Sequence, residues 1–285
     1  MPPALSGERF EFDGLTCYMA GAGPPLLLVH SVNAAASAAE VRPLFEHCSA
    51  THTVFALDLP GYGLSDRSQR EYTPRLMTDA LHATAQQIRK RCGTTPIAAL
   101  GVSLGCEFVA RAAAEQPALW GPLALVSPTG FRGRRALRGP PGSTRKMAGL
   151  YAVLSAPLWS QALFNGLTRP GVVRYFLQRT WGAKNIDEAM WAAAVATAHQ
   201  PGARHAPLCF LGGGLFSADI HTVYESLTQP VWASHGVRGD FTDYRGMGTV
   251  QQRPNWRVSV FQTGALPYFE VPAEFNAELE RFLKQ

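Results

Sequence analysis

The stretch "PIAALGVSLGCEFVARAAAEQ", residues 96–116, places a glycine-flanked serine between two different sequence patterns. Its first seven residues form an apolar run, as expected for a strand buried on both faces of a sheet. After Leu104, apolar side chains recur at helical spacing until Pro117 ends the pattern. A G-x-S-x-G pentapeptide at such a junction predicts a sharp, strained turn that holds the Ser103 hydroxyl above the sheet. The other interpretation is a serine that only caps its helix, but the flanking strand and helix favour the strained turn.

Strand and helix patterns alternate on both sides of this junction. Residues 9–20 read as a hairpin, with Asp13-Gly14 as its turn signal. The predicted strands are 24–31, 52–59, 96–102, 121–128, 229–236 and 256–262, and the predicted helices include 75–91, 104–116 and 271–285. Alternation of this kind predicts an α/β fold with a mainly parallel central sheet and helices on both faces.

One long segment interrupts the alternation. Residues 132–222 contain several amphipathic helical patterns with Trp and Leu, and no convincing strand. A segment of this length is too long for a structureless loop in a compact protein. We therefore predict that 132–222 is an inserted helical cap, and that 1–131 and 223–285 together form the core.

Length and composition exclude several classes of protein. The 285 residues can bury a sizeable core, and no apolar stretch reaches membrane-spanning length. The first residues lack the basic and apolar regions of a signal peptide. Five scattered cysteines without a CxxC pair favour free thiols in a reducing compartment. We therefore expect a cytoplasmic protein with no metal and no cofactor, and we leave its oligomeric state open.

The net charge of +5 is unevenly distributed, and much of it lies in "FRGRRALRGPPGSTRK", residues 131–146. Such a run could attract acidic substrates, anionic lipid headgroups or nucleic acid. No aromatic side chains that could stack on bases are interleaved with it. The favoured interpretation is a solvated, mobile loop, and no nucleic-acid partner is expected.

Four further segments complete a resemblance to the α/β-hydrolase superfamily that covers nearly the whole chain. They are "LLLVHSVNAAAS" (26–37), "ALDLPGYGLSDR" (56–67), "PVWASHGVRGD" (230–240) and "GALPYFEVPAEF" (264–275). In order, they resemble the oxyanion loop, the D-x-x-G-x-G-x-S segment, the strand exit that carries the triad acid, and the stretch that carries the triad histidine. The resemblance implies an α/β-hydrolase fold with a cap over the active site. Ser31 stands where the oxyanion loop usually has glycine.

The resemblance assigns roles to residues on two loops. Ser103 would attack an acyl carbon, and the backbone N–H groups of Val32 and Leu104 would hold the oxyanion. A serine at this position argues against dehalogenases and epoxide hydrolases, which use aspartate there. His30 is expected to be structural, since the family has a structural histidine at this strand end.

The triad acid is less directly placed by the resemblance. The family position falls on Gly239, and a one-residue loop adjustment makes Asp240 the predicted acid, with Asp243 as second choice. Ser127 lies where some relatives carry the acid after an earlier strand, but it offers no carboxylate. Glu107, one helical turn beyond the nucleophile, is expected to be a buried or capping partner.

Ala265 stands where the family has its catalytic histidine. A serine hydroxyl is a weak nucleophile unless a neighbouring base takes its proton. The histidine was replaced deliberately, or it was lost naturally and left a binding protein, or another histidine substitutes for it. The histidines considered for that role are His199, His205, His221 and His235. Each is more often a surface or packing residue, so we rank substitution last; the sequence does not decide between the first two explanations.

The predicted cap indicates the substrate class. Residues 147–167 are strongly apolar and include aromatic side chains, and cap helices of this kind commonly roof an apolar pocket. The sequence thus predicts a serine hydrolase for a small to medium hydrophobic ester or other acyl compound, impaired or inactive because of Ala265. The alternative is a natural noncatalytic protein that binds an apolar small ligand.

Overall fold

An eight-stranded sheet runs through the computed structural model, which describes residues 3–284. The strands are β1 (Glu8–Phe12), β2 (Leu15–Ala20), β3 (Pro25–Val29), β4 (Thr53–Asp58), β5 (Ile97–Val102), β6 (Trp120–Val126), β7 (Val231–Gly236) and β8 (Trp256–Phe261). The helices are α1 (Arg42–Cys48), α2 (Pro74–Cys92), α3 (Gly105–Glu115), α4 (Leu150–Leu154), α5 (Ser160–Leu167), α6 (Pro170–Trp181), α7 (Glu188–Ala198), α8 (His205–Leu211), α9 (Ile220–Ser226), α10 (Gly248–Gln251), α11 (Pro267–Glu270) and α12 (Pro272–Leu283).

The strand order is β1-β2-β4-β3-β5-β6-β7-β8, which confirms the predicted fold class. The two pairs that involve β2 are antiparallel, and the other five pairs are parallel. The predicted hairpin joins β1 to β2, and its turn residues Asp13 (φ 49°) and Gly14 (φ 74°) both have the positive φ that a two-residue hairpin favours.

The register brings the candidate loops to one edge of the sheet. Val102 lies opposite Val126, which in turn lies opposite Ser234. Because the carboxyl ends of parallel strands meet at one edge, the loops after β3, β5, β6, β7 and β8 follow one another there. Ligands of open α/β sheets bind outside this edge.

Apolar layers cover both faces of the sheet. Side chains from α2, α3 and α9 pack on one face, and those from α1 and α12 pack on the other. The largest fully buried side chain, Trp232 on β7, lies against Phe275 and Phe282 of α12, with ring centroids 5.1 and 6.0 Å away. This packing fixes β7 and therefore the loop that follows it.

The segment between β6 and β7 is helical, with α4 to α8 followed by α9. Within the described part of that segment, the one β contact is an isolated bridge between Thr144 and Ser217. Helix α9 packs on α3 and contributes Ile220 and Tyr224 to the core, and it runs across the predicted boundary at 222/223. The division into core and cap remains a prediction, and the packing favours a cap that ends before α9.

Two pairs tie the basic run to acidic residues outside it. Arg138 bonds Glu225 at 2.6 Å, and Lys146 bonds Glu71 at 2.7 Å.

No helix in residues 3–284 combines the length and apolarity that crossing a membrane requires. The five cysteines are free thiols, and four of them are buried.

Candidate active site

The turn between β5 and α3 holds Ser103 in a left-handed conformation, with φ of 52°. The Ser103 amide donates to the Val126 carbonyl at 2.8 Å, which fixes the turn to the neighbouring strand. A Cβ at Gly105 would lie 2.5 Å from the His30 carbonyl oxygen, so this motif position requires glycine. The motif therefore forms the strained strand-to-helix turn that the sequence predicts.

Two backbone amides, one in this turn and one in the loop after β3, have no acceptor in the described part of the chain. Val32 and Leu104 are 4% and 1% exposed, and within residues 3–284 neither N–H group has an acceptor. Buried amides are almost always paired, so two unpaired donors in the loops after β3 and β5 call for an explanation. Donors of this kind are what an oxyanion hole supplies.

A buried carboxylate supports the loop that carries Val32. Glu40 accepts hydrogen bonds from the Ser31 amide at 2.5 Å and from the Ser31 hydroxyl at 2.8 Å. Burial raises the pKa of Glu40 to about 7, against the opposing effect of these two donors. Ser31 is thus the residue that joins the loop after β3 to Glu40.

His30 makes hydrogen bonds with both ring nitrogens. Nδ1 lies 2.5 Å from the Ser31 carbonyl oxygen, and Nε2 accepts from the Leu59 amide at 3.0 Å. Burial lowers the pKa of His30 to about 4, so the ring is neutral at pH 7. These contacts agree with the structural role expected from the sequence.

Ala265 lies in the loop after β8, and its backbone is held on both sides. Its amide donates to the Thr180 carbonyl at 2.9 Å, and its carbonyl accepts from the Ser127 hydroxyl at 2.7 Å. Ser127, the residue after β6, has φ of 50° and is buried. The loop after β8 is therefore tied to the residue that follows β6 and to the last turn of α6.

Asp240 lies in the loop after β7, and its carboxylate is fully engaged. Arg179 donates from Nε and Nη2 to the two carboxylate oxygens, each at 2.5 Å. The Asp240 amide also donates to the Arg179 carbonyl at 3.2 Å. Asp243, the second choice, is bound by Arg245 at 2.7 Å, which holds the pKa of Asp243 well below its usual range.

The family comparison agrees with this architecture. A family model described as alpha/beta hydrolase fold matches residues 24–184. The chain belongs to the α/β-hydrolase family. The coarse prediction of a hydrolase of this family is thereby confirmed.

Individual relatives and solved structures share only a modest part of their sequence with this chain. The pimeloyl-[acyl-carrier protein] methyl ester esterase of Xylella fastidiosa (strain 9a5c) is 35% identical over 107 residues, and the match covers 38% of each chain. A probable hydrolytic enzyme from Pseudomonas aeruginosa PAO1 has a TM-score of 0.74 at 18% identity, covering 98% of this chain and 94% of that one. A 2-hydroxy-6-oxo-6-phenylhexa-2,4-dienoate hydrolase from Rhodococcus sp. strain RHA1 also has a TM-score of 0.74, at 16% identity over 98% and 99%. At these identities, the structural likeness shows the fold alone.

The four remaining candidate histidines have other contacts. His235 bonds the Gly236 carbonyl through Nδ1 at 2.9 Å and stacks on Tyr244, with ring centroids 4.0 Å apart. His221 is buried and accepts from the Leu137 amide at 2.8 Å. His199 is exposed at the end of α7, and His205 is half-buried at the start of α8. Within residues 3–284, none of these four histidines forms a hydrogen bond with Ser103.

Glu107 is a buried partner, as the sequence predicted. It accepts from the Thr129 hydroxyl at 2.5 Å and from the Ser217 amide at 2.9 Å. Burial raises the pKa of Glu107 to about 7. The side chain therefore ties α3 to the end of the proposed cap. No cluster of His, Cys, Asp or Glu that could hold a metal ion occurs between residues 3 and 284.

Sequence reasoning missed Glu40 and Arg179. Glu40 is the one charged residue in the small-residue run 34–41, and an acid in such a run is a usable signal. Arg179 carried no signal, because its partner Asp240 lies 61 residues further along the chain.

Glu40→Gln is expected to change how stability depends on pH. The folded-state pKa of about 7 lies above the ordinary glutamate pKa of 4.5, so between these values the folded state holds a proton that the unfolded state has lost. The free energy of unfolding contributed by Glu40 therefore falls as pH rises from 4.5 to 7, by about 3 kcal/mol in total. Urea unfolding of both proteins at pH 5 and pH 8 should show the variant gaining by about that amount at pH 8 relative to pH 5.

The matched control is Glu46→Gln, since Glu46 is exposed on α1. Its stability relative to the unsubstituted chain should not change between the two pH values. An equal result for Glu40→Gln would contradict the prediction that Glu40 is a buried carboxyl with a raised pKa.

Proposed function

We propose that this chain is a serine hydrolase scaffold that accepts the acyl group of a small to medium hydrophobic ester or other acyl compound, and that its turnover is strongly impaired. Ser103 is the nucleophile, the amides of Val32 and Leu104 form the oxyanion hole, and Ala265 occupies the position of the triad base. Asp240 is the carboxylate that a restored base would use. No cofactor takes part.

The observation that carries the proposal is the pair of unpaired amides, one of which belongs to the residue directly after the strained serine. An acyl-transfer site needs donors placed before reaction at the point where negative charge develops. Here the two donors come from the loop after β3 and from the residue after Ser103, where hydrolases of this fold place them. These positions support an oxyanion hole built from the loops that the fold brings to this edge of the sheet.

The impaired turnover follows from the loop after β8, here called the base loop, together with the loop after β7, here called the acid loop. Without a base, the Ser103 hydroxyl stays protonated near neutral pH and attacks slowly. Removing triad members from a serine protease leaves roughly 10³–10⁴-fold catalysis over water, from the oxyanion hole and binding. Acylation of Ser103 by an activated ester should therefore be slow but measurable, and deacylation should be slower still.

The substrate class rests on the apolar segment 147–167 and on one relative. Tyr151 and Phe164 lie in the helices of this segment, and Phe164 is buried. The Xylella relative is named as a methyl ester esterase, although the match covers only 38% of that protein. Both observations support a hydrophobic acyl compound.

Intact-protein mass spectrometry after incubation with 4-nitrophenyl hexanoate tests the proposal. The expected result is a single adduct of one hexanoyl group that maps to Ser103 and accumulates over many minutes. Ser103→Ala, treated in the same way, should remain unmodified. Rapid steady hydrolysis would mean that another base serves Ser103 and that the chain is not impaired.

The second candidate is a noncatalytic protein that binds an apolar small ligand. It is favoured by the contacts of α6, whose last turn bonds both the acid loop and the base loop. Calorimetric titration with 4-nitrophenyl hexyl ether, which cannot acylate a serine, separates the two candidates. Tight binding that Ser103→Ala leaves unchanged, together with no adduct from the ester, would establish the binding protein.

A further inference from the structure

We propose that the two loops of the vacated triad now serve as a seat for cap helix α6, and that Arg179 and Asp240 are positioning residues that anchor it there. The seat consists of residues 236–240 after β7 and residues 263–265 after β8. The anchored part is the α6 terminal turn, residues 179–182. The proposal rests on the proposed function only in naming these loops as those of the acid and the base.

Three glycines show how closely the backbones approach at the seat. A Cβ at Gly264 would collide with the Trp181 carbonyl, and a Cβ at Gly239 would collide with the Arg179 carbonyl. From the opposite side, a Cβ at Gly182 would collide with the Gly239 amide. Gly239 is also the family position of the triad acid. An aspartate there would therefore displace the α6 terminal turn.

Hydrogen bonds at the seat satisfy the end of the helix. The last carbonyls of an α-helix have no partner within the helix. In α6, the Arg179 carbonyl accepts from the Asp240 amide at 3.2 Å, and the Thr180 carbonyl accepts from the Ala265 amide at 2.9 Å. One bond goes to the acid loop and one to the base loop, so the turn joins the two loops.

Side chains add to the backbone contacts on both sides of the turn. Arg179 forms a two-pronged ion pair with Asp240, and this pair is about half exposed. Pairs of that exposure are weak in isolation, so the ion pair orients the turn more than it stabilises the fold. Trp181 is 3% exposed and packs on Phe269 of α11, with ring centroids 5.3 Å apart.

The neighbouring helix extends the same positioning to the oxyanion loop. Helix α7 packs against α6 and against the turn at Ala38–Val41 that contains Glu40. Asp187, the N-cap of α7, bonds Arg42 at 3.0 Å. The α6–α7 pair is therefore held at the base loop by the last turn of α6, and α7 holds it beside the turn that contains Glu40. We expect its position to set the space available to an acyl chain at Ser103.

Gly264→Ala tests the seat with little side effect, since Gly264 does not have positive φ and its new Cβ would collide with α6. Gly171→Ala, near the start of α6, is the matched control because a Cβ there meets open space. Hydrogen exchange of the full chain should quicken at least 10-fold at residues 179–183 and at the Ala265 amide in the first variant alone. Equal exchange in the two variants would overturn the proposal.

Arg179→Gln provides a milder variant in case Gly264→Ala does not fold. It removes the ion pair but keeps most of the packing, and exchange at the Asp240 amide should quicken several-fold. In both variants, the ratio of Ser103 acylation by 4-nitrophenyl hexanoate to acylation by 4-nitrophenyl acetate should fall several-fold, which a merely structural role would not cause. An unchanged ratio in a chain that acylates would overturn the positioning role. If the chain does not acylate at all, the proposed function fails, and the exchange result still decides the seat.

Discussion

Ala265→His is expected to raise the steady hydrolysis of 4-nitrophenyl butyrate by about 10²-fold. In subtilisin, loss of the triad serine or histidine costs about 2 × 10⁶ in kcat, whereas loss of the aspartate alone costs about 3 × 10⁴. A histidine with no aspartate bonded to it therefore recovers only part of the lost rate. The ratio of the two figures gives that part as about 10²-fold. Asp240 supplies no free carboxylate, because Arg179 holds both of its oxygens.

Adding Arg179→Gln to Ala265→His should raise the rate by a further 10-fold or more, since the larger part of the triad contribution depends on the acid. Equal rates in the single and double variants would show that Asp240 is not the acid. Ser103→Ala in each background measures the rate that does not depend on the nucleophile. An unchanged rate in a correctly folded Ala265→His protein would contradict the hydrolase proposal and favour the ligand-binding candidate.

Ser103→Gly is expected to abolish acylation completely and to make the protein more stable. The serine is held at φ of 52°, a conformation that costs a residue with a Cβ roughly 1–2 kcal/mol. Glycine adopts it without that cost, although glycine loses more entropy on folding. We expect a net gain of about 1 kcal/mol in the free energy of unfolding, measured by urea denaturation.

Ser103→Ala is the matched control, because it also removes the hydroxyl but keeps the Cβ and the strain. It should lose acylation without the gain in stability. If Ser103→Gly were no more stable than Ser103→Ala, the left-handed turn would store no strain. The strained backbone at Ser103 would then no longer support its role as nucleophile.

The order of strands and helices was predictable because its signals are local. The apolar run before Ser103 and the helical spacing after it define β5 and α3 within 21 residues. Asp13 and Gly14 likewise define their hairpin from two positions. Each of these signals depends on backbone preferences and on burial within a single element.

The state of the candidate site could not be predicted in the same way. The sequence shows that Ala265 lacks an imidazole, but not that its amide bonds Thr180, 85 residues earlier in the chain. Asp240 reads as a plausible acid from its position after β7, and only the folded chain brings Arg179 to its carboxylate. Contacts between distant segments depend on how the helices after β6 fold back, and no short pattern encodes that.

Ser127 marks a second position from which an acid could orient a base at residue 265, on the side of the loop away from α6. It follows β6 in a left-handed conformation, and its hydroxyl already lies 2.7 Å from the Ala265 carbonyl oxygen. Some members of the superfamily carry their acid at this strand end, so a carboxylate introduced here would approach residue 265 from the opposite flank. A Cβ at Gly239, the position that the resemblance gives to the acid, would collide with the Arg179 carbonyl, whereas position 127 lies at the end of a neighbouring strand. Ser127→Asp combined with Ala265→His would therefore pair a base with an acid at the end of the neighbouring strand, without any movement of α6.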